Sequence, residues 1–430
     1  MKTSSKQKKA MEQLGIEKLR KHQIEPINAL DKGQDCFIVL ATSAGKSAIP
    51  QLVGLMKPGY TLNITPTLSL MDDQVKKLKA HTISAEYVCC ANKDNHKRIY
   101  NDLADGKIKF LYVTPERLRD KEFKRTVKKM PPDIIVVDEV HCLTQWGNPS
   151  FRPAYASIGD FIENLKDRPV IAAMTATAPP DEREHIERSL GMRNPSFFTG
   201  NLVKPNLTAI IENCDDRSEK QRLKLLKNTI KKYIKDGSAV IYCSTKAQTD
   251  VLYNYLKSES EFKKQVTRYH SGMNAEQKEL CETDFLNGKK NIMIATSAFA
   301  MGVDKPDIRL VLHWNMPFSI VDYYQQIGRA GRDGKAAHAV LFYRSADIKM
   351  NKEIIGGKKR KRDLEKIDCS SDEIKAETRD ALERFRDFTD ILHGKDCIMQ
   401  RVLEFLGEKD PKKCRYCTMC QRNRRKYNND

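Results

Sequence analysis

Residues 40–47 read LATSAGKS, and the end of that run, Gly45-Lys46-Ser47, has the residue types of a phosphate-gripping turn. In G-x-x-x-x-G-K-[ST] the backbone N–H groups cradle the anion, the lysine meets the β/γ-phosphates and the hydroxyl ligates Mg2+. The pattern asks for glycine at position 40 and finds Leu40. Residues 134–141, IIVVDEVH, are an apolar run that delivers Asp138 and Glu139 at its end. One such carboxylate can hold Mg2+ through water and the next can polarise the attacking water. Alone, a GKS tripeptide arises by chance and Asp-Glu is often solvated surface. On neighbouring strands the two point to ATP hydrolysis, with Lys46, Ser47, Asp138 and Glu139 as the working groups.

Two further clusters carry chemistry. YYQQIGRAGRDG (323–334) sets Arg329 and Arg332 three apart between glycines, so both can project from one helix end. Phosphoryl transfer needs positive charge at the γ-phosphate, and an arginine finger contributes roughly 10³–10⁵ in rate. If these arginines and Lys46 come from different domains, ATP is expected between them and its turnover would drive a motor. An Arg–carboxylate network joining the domains is the competing reading. The last cysteines form C-x₁₆-C-x₂-C-x₂-C through Cys397, Cys414, Cys417 and Cys420. Four thiolates on a compact turn suit a tetrahedral Zn2+ site.

The elements that must position these residues are those of a parallel α/β fold. Short apolar runs alternate with helical patterns: CFIVL (36–40), YTLNIT (60–65), FLYVT (110–114), IIVVDE (134–139) and VIAAMTAT (170–177). A break is expected near NLVKPNLTAI (201–210), after which AVIYCS (239–244), VTRYHS (266–271), NIMIATS (291–297), LVLHWNMP (310–317) and HAVLFY (338–343) restart the pattern. Continuous hydrophobic runs are those of strands covered on both faces. LATSAGKS follows such a strand directly and precedes a helix-forming run, the context a phosphate cradle needs. Beyond residue 349 the character changes to a basic cluster, KKRKR (358–362), and an amphipathic helix with Leu382, Phe385, Phe388 and Leu392 facing a core. The basic cluster reads as a nuclear import signal, a DNA backbone contact or a solvated loop.

The 430 residues carry 76 Lys plus Arg against 57 Asp plus Glu, a net charge of +19 that favours nucleic acid as partner. No apolar run is long enough to span a membrane and no signal-peptide core opens the chain, so an intracellular protein is expected. In that compartment the scattered cysteines are expected to be small buried hydrophobes.

Taken together, the stretches resemble a RecQ-type helicase of superfamily two over about residues 10–422. LRKHQIEPI (19–27), LATSAGKS, ITPTLSLMDDQV (64–75), LYVTPERL (111–118), VVDEVHCLTQWG (136–147), MTATA (174–178), VIYCSTKAQ (240–248), IATSAFAMGVDKPDIR (294–309) and YYQQIGRAGRDG fall in the family's order. Members typically read close to TGGGKS where this chain has Thr42-Ser43-Ala44-Gly45-Lys46-Ser47, and commonly lack the first glycine.

The resemblance implies two tandem RecA-like lobes, 1–207 and 208–348, a helical zinc-binding subdomain over 349–422, and a basic tail over 423–430. It implies that Arg20 and Gln23 contact adenine, and that Thr42, Ser43, Ala44, Gly45, Lys46, Ser47, Asp304 and Gln325 complete the ATP site. Mg2+ is expected on Ser47 and Asp138. His141, Gln145, Thr175 and Thr177 would couple nucleotide to DNA, and Arg329 and Arg332 would reach the γ-phosphate, Arg332 as the finger. CLTQWGNPSFRPAY (142–155) resembles the family's aromatic loop, with Trp146, Phe151, Arg152 and Tyr155 as a platform for unpaired bases and Thr245 a further DNA contact. It departs from QWGHDFRP by lacking the histidine and running one residue longer. The implied activity is an ATP- and Mg2+-dependent, 3′-to-5′ DNA helicase or translocase acting on single-stranded and forked DNA in repair and recombination, with Zn2+ in its last module. Its implied place is the nucleus in a eukaryote and otherwise the cytoplasm. The winged-helix and second helical DNA-binding domains of many members would not fit in the ten residues after Cys420. An RNA helicase and a non-catalytic nucleic-acid-binding scaffold are the rival readings.

Overall fold

A computed structural model describes all residues except 1–3, 42–43, 146–153, 201, 300–304, 358–370, 409 and 428–430. Trp146, Phe151, Arg152, Thr42, Ser43, Asp304 and the KKRKR cluster therefore lie outside the described residues. The chain divides between Leu202 and Val203 into two compact units, the second also holding residues 374–430.

The first unit is built on β1 (Cys36–Val39), β2 (Thr61–Ile64), β3 (Ala85–Val88), β4 (Phe110–Val113), β5 (Ile134–Val137), β6 (Val170–Thr175) and β7 (Ser196–Thr199). They form one sheet in the order β3-β4-β2-β5-β6-β1-β7, every pairing parallel. The central strands are buried along their whole length, as IIVV in β5 and CFIV in β1 show. Helices cover both faces because parallel strands need crossovers, and the apolar runs read from the sequence are the result.

The second unit repeats the scheme with β8 (Leu207–Asn213), β9 (Ser238–Tyr242), β10 (Val266–Tyr269), β11 (Ile292–Ala295), β12 (Ile308–His313) and β13 (Ala337–Tyr343). Their order is β10-β11-β9-β12-β13-β8, again all parallel. Trp314 is buried at its centre, with the Arg222 guanidinium 4.0 Å from the ring centroid and bonded to the Trp314 carbonyl at 2.8 Å.

Three strands lie where continuous apolar runs are missing, β3, β7 and β8, and each is a sheet edge. An edge strand is covered less completely, so Glu86 in β3, the alternately half-buried SFFT of β7 and Thr208 in β8 break the pattern. The expected break at 201–210 contains the division between Leu202 and Val203, and its last residues already open β8, which pairs with β13 over its whole length.

Of the scattered cysteines, Cys36, Cys89, Cys142, Cys214 and Cys243 are buried and Cys281 is half-buried. Burial pushes the Cys36 and Cys243 thiols up to about 12, which keeps them protonated packing groups. The expected amphipathic helix is Ser371–His393, with Phe385, Phe388 and Leu392 buried and Leu382 half-buried. Phe388 meets Tyr323 at a centroid distance of 5.2 Å, which fixes this helix to the second unit. Phe385→Ala is expected to cost about 3–5 kcal/mol; urea denaturation should show an earlier transition, and an unmoved midpoint would contradict the packing.

Candidate functional site

In the first sheet the order β5-β6-β1 brings three C-terminal strand ends side by side, with Val39 paired to Thr175 and Val137 to Ala173. Ligands of open parallel sheets bind at such ends. The phosphate-type loop leaves β1, Asp138 and Glu139 leave β5, and Thr175 closes β6. The loop and the carboxylates are therefore not on adjacent strands, as the sequence suggested. β6 stands between them: the Thr175 carbonyl accepts from Leu40 N at 3.0 Å, and its hydroxyl meets His141, two residues after Glu139.

Lys46 Nζ lies 3.6 Å from Glu139 Oε1, with side-chain exposures of 10% and 22%. The ammonium is buried and has no hydrogen-bond partner among the described residues. A buried cation with one long ion pair is short of acceptors, the condition of a group placed for an anion's oxygens. Glu139 reaches it through backbone in the left-handed region, φ +47. A non-glycine residue held there stores of the order of 1–3 kcal/mol, and such strain gathers at functional sites.

The other Glu139 oxygen faces His141 Nδ1 at 3.4 Å, and the same nitrogen lies 3.0 Å from Thr175 Oγ1. Thr175 gives its own proton to the Thr177 carbonyl at 2.9 Å and accepts from the Thr177 N–H at 3.1 Å. The network therefore assigns the imidazole proton to Nδ1, donating toward Thr175. His141 is buried, which pushes its pKa down to about 4, against the opposing pull of Glu139. It is neutral at pH 7. Lys46, Glu139, His141, Thr175 and Thr177 thus form one polar chain across three strand ends.

Asp138 is pushed up to about 6, by desolvation first and by Glu139 second, with Lys46 pulling the other way. Ser47 and Asp138 line one small cavity with Asn63, Thr65, Gln74 and Tyr112. A hydroxyl and a carboxylate in a polar cavity are the hard oxygen donors that suit Mg2+.

The loop is braced from the helix Lys21–Asp31. Gln23 accepts from Arg20 N at 2.8 Å and donates to the Gly45 carbonyl at 3.0 Å, and His22 Nε2 donates to the Ala44 carbonyl at 2.9 Å. His22 was missed in sequence although its motif was marked; a carbonyl partner leaves no sequence signal. Gly45 has φ +79, and a Cβ there would meet Gln23 Nε2 at 2.7 Å.

Other expected residues lie on other elements. Tyr155 is fully buried in the first unit, which corrects its reading as a stacking platform because neither ring face is open. Gln145 ends the short helix Cys142–Gln145, its side chain outside the described residues. Thr245 caps the helix Lys246–Ser258 by accepting from Gln248 N. In the second unit Gln325 is half-buried on the helix Ile320–Ile327, and Arg329 and Arg332 follow that helix. Arg329 is buried beside Tyr242 at the end of β9; burial raises that phenol, and both arginines oppose the shift.

The second unit also gathers Cys397, Cys414, Cys417 and Cys420, whose sulfurs all lie within 4.8 Å of one another. Cys414 Sγ is 3.4 Å from Cys397 Sγ and accepts from Cys417 N at 3.3 Å, while Cys414 N donates to Cys397 Sγ at 3.3 Å. Bonds from Cys397 and Cys414 hold the Cys417 thiol far below the usual range, whereas bonding to Cys397 and Cys417 raises Cys414. A sulfur cluster with amides aimed at it fits a thiophilic metal ion.

Residues 20–186 match the DEAD/DEAH box helicase family and residues 221–334 the helicase conserved C-terminal domain. The ATP-dependent DNA helicase RecQ of Bacillus subtilis (strain 168) is 32% identical over 412 residues, 94% of this chain and 65% of that protein. The probable ATP-dependent DNA helicase RecS of the same organism is 32% identical over 345 residues, 79% of this chain and 67% of that protein. The chain thus spans about two thirds of the length of these relatives. Among solved structures, S. cerevisiae Dbp5 bound to RNA and ADP BeF3 is similar with a TM-score of 0.64 at 18% identity, over 88% of this chain and 97% of that one. That likeness shows the fold: two RecA-like lobes.

The bracing of the loop can be tested in the isolated protein. Gly45→Ala is expected to lower stability by about 1–3 kcal/mol, from left-handed strain plus the clash. Gln23→Ala alone should also lower stability by loss of its bonds to Arg20 N and the Gly45 carbonyl. On that background Gly45→Ala should cost less than in the wild type because the clash is gone. Thermal melts of the two variants and the double variant measure this, and a Gly45→Ala melt equal to wild type would contradict the loop conformation.

Proposed function

Given that the chain belongs to the RecQ family of helicases, we propose that it is an ATP-hydrolysing motor that moves on DNA and separates strands. The observation that carries this reading is the Lys46–Glu139–His141–Thr175 chain across the ends of β1, β5 and β6. Lys46 is set to exchange its long pair with Glu139 for the phosphates of ATP. Glu139, released from the ammonium, is then free to orient and deprotonate the attacking water. His141, kept neutral, is positioned to pass the state of Glu139 to the Thr175–Thr177 turn without adding charge. Ser47 and Asp138 would hold Mg2+, which when bound neutralises charge on the phosphates. Arg332, with Arg329 beside it in sequence, is assigned the transition-state charge.

DNA rather than RNA is the proposed track, 3′ to 5′ the proposed direction, and single-stranded and forked DNA the proposed substrates. The net charge of +19 supports a polyanion partner. No helix among the described residues is long and apolar enough to cross a membrane. The four cysteines would hold one Zn2+, which when bound contributes roughly 10–16 kcal/mol to local folding.

Glu139→Gln should lower kcat for ATP by roughly 10²–10⁴ and leave nucleotide affinity equal or tighter, because Lys46 loses its competing partner. Lys46→Ala should remove hydrolysis altogether. Phosphate release and titration with a fluorescent nucleotide separate the two effects. Wild-type turnover no higher than that of Lys46→Ala would leave a binding scaffold as the reading. Stronger stimulation by RNA than by single-stranded DNA would overturn the choice of track, and 3′- and 5′-tailed duplexes test direction.

Metal analysis should find about one zinc per chain, and Cys417→Ser should abolish it and lower the melting temperature of the second unit. Zinc retained at wild-type level in that variant would remove Cys417 from the ligand set.

A further inference from the structure

The segment Lys204-Pro205-Asn206 enters the second unit just ahead of β8, and the sequence alone marks it only as part of a break. Its side chains are spent on one loop. Lys204 Nζ donates to the carbonyls of Gly328 and Ala330, which flank Arg329. Asn206 Nδ2 donates to the carbonyls of Gly331 and Lys335, each at 2.8 Å, which bracket Arg332. These two side chains thus hold carbonyls on both sides of each arginine. The fit is close: Gly331 has φ +63, and a Cβ there would lie 2.4 Å from Asn206 Nδ2.

The clip is itself anchored. Asn206 O accepts from Ala337 N at 2.9 Å as β13 begins. The Pro205 carbonyl accepts from Tyr416 Oη at 3.0 Å, and Tyr416 stands between Cys414 and Cys417 in the cysteine turn. Thr418 Oγ1 accepts from Ile211 N at 2.8 Å and ties the same turn to β8.

We infer that Lys204 and Asn206 are positioning residues for the phosphate-directed arginines, holding the Gly328–Lys335 loop in the conformation from which Arg329 and Arg332 act. Electrostatics argues against a merely stabilising role for Lys204. Burial, with Arg332 and Arg329 nearby, pushes its ammonium down to about 7, so a cation is held there at a cost. Its return is the geometry of the carbonyls it binds. The inference rests on the assignment of Arg332 to the transition state.

The test is steady-state ATP hydrolysis by the full chain with a poly-dT oligonucleotide, beside fluorescent-nucleotide affinity and thermal melts. Lys204→Met and Asn206→Ala should each lower kcat by roughly 10–100-fold, the effect of a misplaced catalytic group, with KM for ATP and affinity nearly unchanged. Lys204→Arg, which keeps donors, should recover most of the loss. On an Arg332→Ala background, Lys204→Met should add nothing further, because both act through one group. Unchanged kcat in Lys204→Met with Arg332→Ala impaired would overturn the inference. So would a full second loss on the Arg332→Ala background, which is what a general structural defect produces. If Arg332→Ala itself keeps wild-type kcat, the arginine assignment has failed and the positioning inference falls with it.

Discussion

A buried lysine ammonium with one carboxylate 3.6 Å away organises the first unit. The separation is too long for a hydrogen bond, so the pair is electrostatic only, and Lys46 keeps its donors for other oxygens. The cost of desolvating that charge is tolerable because the pair forms at the ends of a parallel sheet, where helix N-termini and loop amides also point. Everything nearby serves the pair. Left-handed backbone at Glu139 turns the carboxylate inward, Gln23 and His22 brace the loop from below, and His141 closes the far side.

The chain of contacts is directional because each member has one role left to it. Thr175 has used its proton on the Thr177 carbonyl, so it must accept from His141. His141, neutral by burial, then offers Glu139 a contact without a competing full charge. A change at Glu139 therefore reaches β6 through its 3.4 Å contact with His141 and the His141–Thr175 hydrogen bond. The second unit uses a different device, in which a cysteine turn, the first residues before β8 and the arginine loop are joined by side-chain bonds to backbone carbonyls.

Much of this was legible in the residues. Central strands could be read because both faces are covered, and the paired motifs Gly45-Lys46-Ser47 and Asp138-Glu139 announced the chemistry of their loops. Of the four edge strands among the described residues β10 could be read, whereas β3, β7 and β8 could not, because polar or half-buried positions break their apolar runs. Tyr155 reads as an exposed aromatic beside basic residues yet is a core residue, and aromatic type alone does not distinguish the two. The cysteine triplet was explicit, because metal-ligand spacing is a local property of the chain.

By itself the sequence determined the fold class, the residues that leave each central strand and the four sulfurs, because each depends on short-range pattern. Only the tertiary structure decided that β6 lies between the two nucleotide motifs and that His141 meets Thr175. It alone gave Lys204 and Asn206 their work. Strand order is set by crossovers of many residues, and a side chain bonded to a distant carbonyl imposes no pattern on its neighbours; neither leaves a trace at the spacing of adjacent residues.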